Sequence, residues 1–318
     1  MFNPSFIRNA INRSAQNGAD RRRFLKVAGA AGLGFAGATY LGAGSAIAGG
    51  PGDAAPAAPE GPSDAAILNF ALNLEYLEAE FYLRSLGEQL PDDSLGGVGT
   101  PGEVSGGKPV PFTSGGLIEQ YAREIAADEK AHVLFLRSAL GEAAVARPAI
   151  DIDAAFQAAA MAAGLGEGFD AYASEENFLL AAFIFEDVGV TAYKGAAPLV
   201  DNPTFVEAAA GILAVEAYHA ANIRSALNAK GMETPELRDS ANAISDARDS
   251  LDGESDLDQG IFVDGQSNIV PSDANALAFS RSPGQVLNIV YLNPMAVTSG
   301  GFFPGGVNGE LNMSAANA

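Results

Sequence analysis

Glu129-Lys130-Ala131-His132-Val133-Leu134-Phe135-Leu136-Arg137-Ser138-Ala139-Leu140 returns 87 positions later as Glu216-Ala217-Tyr218-His219-Ala220-Ala221-Asn222-Ile223-Arg224-Ser225-Ala226-Leu227. Each copy opens on Glu-x-x-His, and the two histidines of the chain both lie in these copies. On an α-helix, residues three apart are separated by about 60° around the axis and one turn along it, so each Glu projects with its His. A second correspondence precedes each copy. Glu75 stands seven residues before Tyr82 and Glu186 seven before Tyr193, with both members displaced by 111 positions. The chain therefore reads as one helix pair used twice.

Working outward, apolar residues recur at helical spacing from Asp64 to Leu86 (Ile67, Leu68, Ala71, Leu74, Leu77, Phe81), with Ser63 or Asp64 as the cap. A second helix is predicted from about Gly116 to Leu140, a third from Ser174 to about Ala197, and a fourth after Asp201-Asn202-Pro203 to Lys230. Residues 87–115, crowded with Gly and Pro, form a long surface loop between the first two helices. A small Ala-rich helix is expected over Asp153–Ala163. The fold expected is all-α: a four-helix bundle over 64–230 with an acidic, Gly-rich and irregular C-terminal extension over 231–318.

With the repeated faces turned inward, Glu75, Glu129, Glu186 and Glu216 with His132 and His219 make a set of oxygen and imidazole donors suited to two divalent metals. Glu78 and Glu80 compete with Glu75, but only Glu75 keeps the tyrosine spacing and matches Glu186. The bland alternative is that each histidine is a hydrogen-bonded structural residue. Tyr82 and Tyr193 are expected to pack structurally, with hydrogen bonds to the carboxylates or electron relay as the alternatives, and Asp128 or Asp187 to orient an imidazole. The chain has no cysteine, so any metal must sit on oxygen and nitrogen.

The formal charge is −21; with six basic and one acidic residue in the first 48, the remainder carries −26. Such a body repels nucleic acid and anionic lipid. Arg21-Arg22-Arg23-Phe24-Leu25-Lys26, a weakly apolar Gly/Ala stretch and Ala46-Ile47-Ala48 follow the order of an export leader with a small-residue cleavage site. This segment resembles a twin-arginine signal peptide, paired on Arg21 and Arg22. The resemblance implies the twin-arginine translocase as a partner, cleavage of residues 1–48, and a periplasmic, extracellular or cell-surface destination. Residues 49–63 read as a flexible Pro/Ala/Gly linker.

In the C-terminal third, residues 239–260 are acidic, with Asp252, Glu254, Asp256 and Asp258 alternating. A calcium loop would need a glycine and terminal glutamate that are missing, so a solvated loop is expected. Residues 286–291 fit a strand or a short helix, and 300–306 form an apolar, glycine-rich segment expected to pack onto the bundle or to make a homo-oligomer contact.

The order Glu-x6-Tyr, Glu-x-x-His, Glu-x6-Tyr, Glu-x-x-His is similar to the ferritin-like superfamily over roughly 64–230. Leu72–Tyr82 and Phe185–Tyr193 resemble more narrowly the branch that contains desiccation-related proteins. The resemblance implies two Fe ions, or two Mn ions as in dimanganese catalases, and O2, peroxide or Fe(II) as substrates. It equally implies a non-enzymatic stress or desiccation protein that keeps the bundle for structure. The long first loop and the extended C-terminus depart from cage-forming ferritins.

Overall fold

The computed structural model describes residues 61–317. The export leader and most of the linker lie outside them. Pro62–Asp201 and Phe205–Ala318 form one compact unit, and Gly61 and Asn202–Thr204 fall outside it.

The helices are α1 (Asp64–Ser85), α2 (Leu117–Leu140), α3 (Ala154–Ala162), α4 (Glu175–Ala196), α5 (Pro203–Lys230), α6 (Glu236–Asp252) and α7 (Pro283–Val290). Serines start α1 and α4: Ser63 Oγ accepts from the Ala66 amide at 3.1 Å and Ser174 Oγ from the Asn177 amide at 3.2 Å, satisfying donors that a helix start leaves free. Gly141, at φ 58°, ends α2 in a conformation that a Cβ disfavours.

The long helices differ in what they bury. On α2 a single stripe is buried: Ile118, Ala122, Ile125, Ala126, Glu129, His132, Val133 and Leu136. Its i, i+4, i+7 spacing sets Glu129 and His132 on the inward face. By contrast, α1 and α4 are buried on nearly every side. The C-terminal extension supplies the extra cover: Val286, Leu287, Ile289 and Val290 of α7, with Phe302 and Phe303 beyond it, are all in the core. Phe302 sits 4.9 Å, centroid to centroid, from Phe185 of α4 and 5.1 Å from Phe156 of α3. Burying each such ring contributes roughly 1.5–3 kcal/mol.

One expectation changes and two are filled in. The acidic stretch is not a solvated loop, because most of it is α6, whose Leu237, Ala241, Ile244, Ser245 and Arg248 are buried. Asp252 and Asp258 are buried too, in ion pairs to Arg281 at 2.5 and 2.8 Å. Residues 286–290 are helical, started by a Ser282/Gln285 capping box, so the extension is less irregular than its composition suggests. The 87–115 loop is pinned, since its short strand Val104–Ser105 runs parallel to Ile150–Asp151 and Val98 bridges Val145.

Candidate metal centre

Four helices each deliver acidic or imidazole groups to one buried point. Glu75 comes from α1, Glu129 and His132 from α2, Glu186 from α4, and Glu216 and His219 from α5. His132 Nδ1 lies 3.1 Å from Glu75 Oε2, 3.4 Å from Glu129 Oε2 and 3.6 Å from Glu216 Oε1. His219 Nδ1 lies 3.0 Å from Glu129 Oε1 and 3.7 Å from Glu186 Oε2. The two imidazole centroids are 6.4 Å apart. Glu75, Glu129, His132 and Glu216 make one cluster able to hold a metal ion; Glu129, Glu186 and His219 make a second. Glu129 belongs to both, one oxygen toward each histidine.

The tyrosines cross the pseudo-symmetric halves. Tyr82 of α1 donates to Glu186 Oε1 of α4, and Tyr193 of α4 donates to Glu75 Oε1 of α1. Each phenol leaves its carboxylate a second oxygen facing the centre, a more specific role than packing. Asp128 reaches His219 Nε2 at 3.1 Å, the outer-carboxylate arrangement that fixes an imidazole with Nδ1 facing inward. Asp187 contacts no imidazole; its Oδ2 pairs with Arg224 at 2.7 Å and Arg248 at 3.0 Å. Glu80 is held by Arg84 and Arg147 and so is withdrawn from the site.

Glu78 is different. Buried on the same side of α1 as Glu75, it accepts no hydrogen bond from any described residue. It lacks the tyrosine seven residues on that marks Glu75 and Glu186. The same offset of 111 that pairs Glu75 with Glu186 sets Glu78 opposite Gly189, so the repeat does not mark it.

Burial opposes charge on these acids. Desolvation, with neighbouring carboxylates adding to it, pushes Glu75 up to about 7 and Glu186 up to about 8, against the pull of His132 and His219 respectively. Glu78 and Glu216 are raised well above the usual carboxylate range by burial and by the other glutamates. For Glu129, burial is outweighed by hydrogen bonds and charge from both imidazoles, which lower it. Burial would lower the histidines, yet Glu75 and Glu129 raise His132 to about 11, and Asp128, Glu129 and Glu186 raise His219 to about 10. Without cations the cluster is thus a store of protons.

Protons alone leave it unsatisfied. Both oxygens of Glu129, both of Glu216, Glu186 Oε2 and His219 Nδ1 are buried without a well-aligned hydrogen bond, although His219 Nδ1 stands 3.0 Å from Glu129 Oε1. An unpaired buried polar atom costs about 1–3 kcal/mol, and six beside one another call for a shared partner. The donor set, carboxylate oxygen and imidazole nitrogen without thiolate, fits divalent first-row metals.

A model of the ferritin-like domain matches residues 63–229. The chain belongs to the ferritin-like family. It is 31% identical over 270 residues to desiccation-related protein PCC13-62 of Craterostigma plantagineum, covering 78% of this chain and 84% of the relative. It is 28% identical over 272 residues to ferritin-like catalase Nec2 of Nesocodon mauritianus, covering 78% and 85%. No solved structure matches the chain significantly. Both relatives extend well beyond the length of the ferritin-like bundle itself.

Proposed function

We propose that this ferritin-like protein holds two redox-active divalent ions, iron or manganese, and handles hydrogen peroxide or O2 outside the cytoplasm. The observation that carries the reading is the set of six buried atoms without a well-aligned hydrogen bond around the shared Glu129 carboxylate. Glu75, His132 and Glu216 would hold one ion, Glu186 and His219 the other, and Glu129 would reach both. Such a pair of ions supplies, when bound, the electron transfers that O–O chemistry requires.

The residues of the chain do the rest. Tyr82 and Tyr193 fix the outer oxygens of Glu186 and Glu75, so the inner oxygens keep their aim. Asp128 holds His219 with Nδ1 inward. The buried aliphatic faces of α1 and α4 keep bulk water out, which strengthens every electrostatic interaction within. The relative named as a catalase supports peroxide as the oxidant.

The relative named desiccation-related supports a second reading, a stress protein in which the centre serves stability. In either case the leader on Arg21 and Arg22 supports export of a protein already folded around its ions.

Elemental analysis of the purified protein, with peroxide and O2 consumption assays, tests the proposal. Two metals per chain and consumption of either oxidant are expected, with metal and turnover lost in the His132→Ala/His219→Ala double variant. Full metal content in that variant, with no effect of chelator on the parent, would overturn it. Metal without turnover would favour the stress-protein reading.

A further inference from the structure

Among the places where α1 and α4 differ, one lies beside the centre, where Glu78 faces Gly189. A Cβ at position 189 would collide with Glu216 Oε2 and come within 3.5 Å of Glu78 Oε1. Gly189 therefore lets two carboxylates share one side of the centre. Beside them is a small cavity lined by Leu77, Glu78, Phe185, Gly189, Ile289 and Phe302 among its walls. It offers about 10 Å³ to the centre of a water-sized sphere, room for a molecule of about that size. Glu78 is the one ionisable residue in its lining, 6% exposed, and accepts no hydrogen bond from any described residue.

We propose that this cavity is the docking position for hydrogen peroxide beside the metal centre, with Glu78 as its hydrogen-bonding anchor and Ile289 and Phe302 setting its size limit. The inference rests on the peroxide reading above and goes further by assigning a specificity site to residues outside the metal-ligand set. Chemistry selects the occupant. A divalent cation takes about six oxygen ligands, and a wall of Leu, Ile, Val and Phe with one free carboxylate cannot supply them. Dioxygen has no proton to offer Glu78. Hydrogen peroxide is small and neutral, carries two O–H donors and accepts as well, so it pairs with a carboxylate or a carboxyl group. An alkyl hydroperoxide exceeds the space. Because Ile289 and Phe302 belong to the C-terminal extension, beyond residues 63–229, the size limit is imposed by a part of the chain that the ferritin-like domain lacks.

The test has a structural and a kinetic arm. Crystals of the metal-free protein, soaked in hydrogen peroxide, are expected to show two-atom density within hydrogen-bond distance of Glu78. A single water there, unchanged by the soak, would overturn the proposal even if the protein binds no metal at all. In the metal-loaded protein, Glu78→Leu should raise KM for hydrogen peroxide about tenfold while metal content stays at the parent level. Glu78→Gln, which keeps one acceptor, should raise it less than about threefold. Ile289→Ala should improve kcat/KM for ethyl hydroperoxide relative to hydrogen peroxide by about tenfold, a gain that misfolding cannot imitate. If Glu78 is only structural, Glu78→Leu changes the melting temperature and leaves KM and the hydroperoxide preference as in the parent, which also overturns it. Absence of metal and of peroxide consumption in the parent would instead count against the proposed function, leaving the soak to decide the cavity.

Discussion

At the scale of single residues, the two-metal proposal makes the centre a competition between protons and cations. Glu75 at about 7 and Glu186 at about 8 stand above their usual 4.5, and His132 at about 11 and His219 at about 10 stand above 6.5. The raised carboxylates make the metal-free fold bind more protons than the unfolded chain between about pH 4.5 and 8, so its stability falls as pH rises through that window. The histidines act in the same direction: their contribution is complete below about 6.5 and is lost as pH climbs toward 10 and 11. Bound cations replace those protons, so chelator should lower the melting temperature little near pH 5 and by about 5 °C or more near pH 8. Thermal unfolding with and without chelator across that range measures it; a chelator effect independent of pH would contradict the competition. Asp128→Asn belongs to the same scale. It keeps a hydrogen-bonding group near His219 but removes the charge, and metal affinity measured by titration calorimetry should weaken about 10–100-fold with the fold intact.

At the scale of elements, the duplication made α1, α2, α4 and α5 and their inward faces legible, because burial of Glu and His demands a regular stripe and the repeat displays it twice. What stayed hidden depends on contacts remote in sequence. Helix α6 was masked by its charge: Asp239, Asp246, Asp249 and Asp252 suggest a solvated strip, while its thin apolar line, Leu237, Ala241 and Ile244, is easily missed. Glu78 was visible, but nothing local says that Gly189 faces it or that Ile289 closes the space. Asp187 was read toward an imidazole, whereas Arg248 of α6 takes it. That arginine, 3.0 Å from Asp187 and 2.6 Å from Asp258, also donates to the carbonyl of Phe183 at 2.5 Å. Removing it takes one of two arginines from each of two buried carboxylates, Asp187 keeping Arg224 and Asp258 keeping Arg281, so Arg248→Ala should cost about 1.5–3 kcal/mol in denaturant unfolding. Arg248→Lys should recover only part, since an ammonium cannot span those partners as a fork does. A loss below about 1 kcal/mol would mean that α6 is held by its apolar line alone.

At the scale of the whole molecule, the bundle and the extension make one core. Arg224, at the end of the repeated motif in α5, is wholly buried and donates to the carbonyls of Gln259, Gly260 and Asn268 as well as to Asp187. At the far end, Asn73 of α1 exchanges hydrogen bonds with the backbone of Asn308, whose side chain reaches Thr100 and Ala146. Among the described residues no helix is long and apolar enough to cross a membrane. The apolar surface of α1 and α4 is covered in part by the extension. A chain ending at Lys230 would keep all six candidate ligands but uncover Leu77, Phe185 and Val188 and strip Arg224 of its carbonyl partners. Such a surface favours association, and the stranded guanidinium adds a penalty of several kcal/mol. The truncated chain should therefore aggregate, or remain soluble only as a state with helical far-ultraviolet but no near-ultraviolet dichroism, and should bind metal with less than the full stoichiometry. Circular dichroism, light scattering and metal analysis, compared with the full chain, measure this. A monodisperse, cooperatively melting bundle carrying two metals would show that the ferritin-like repeat folds by itself and that the extension is a later addition to a finished core.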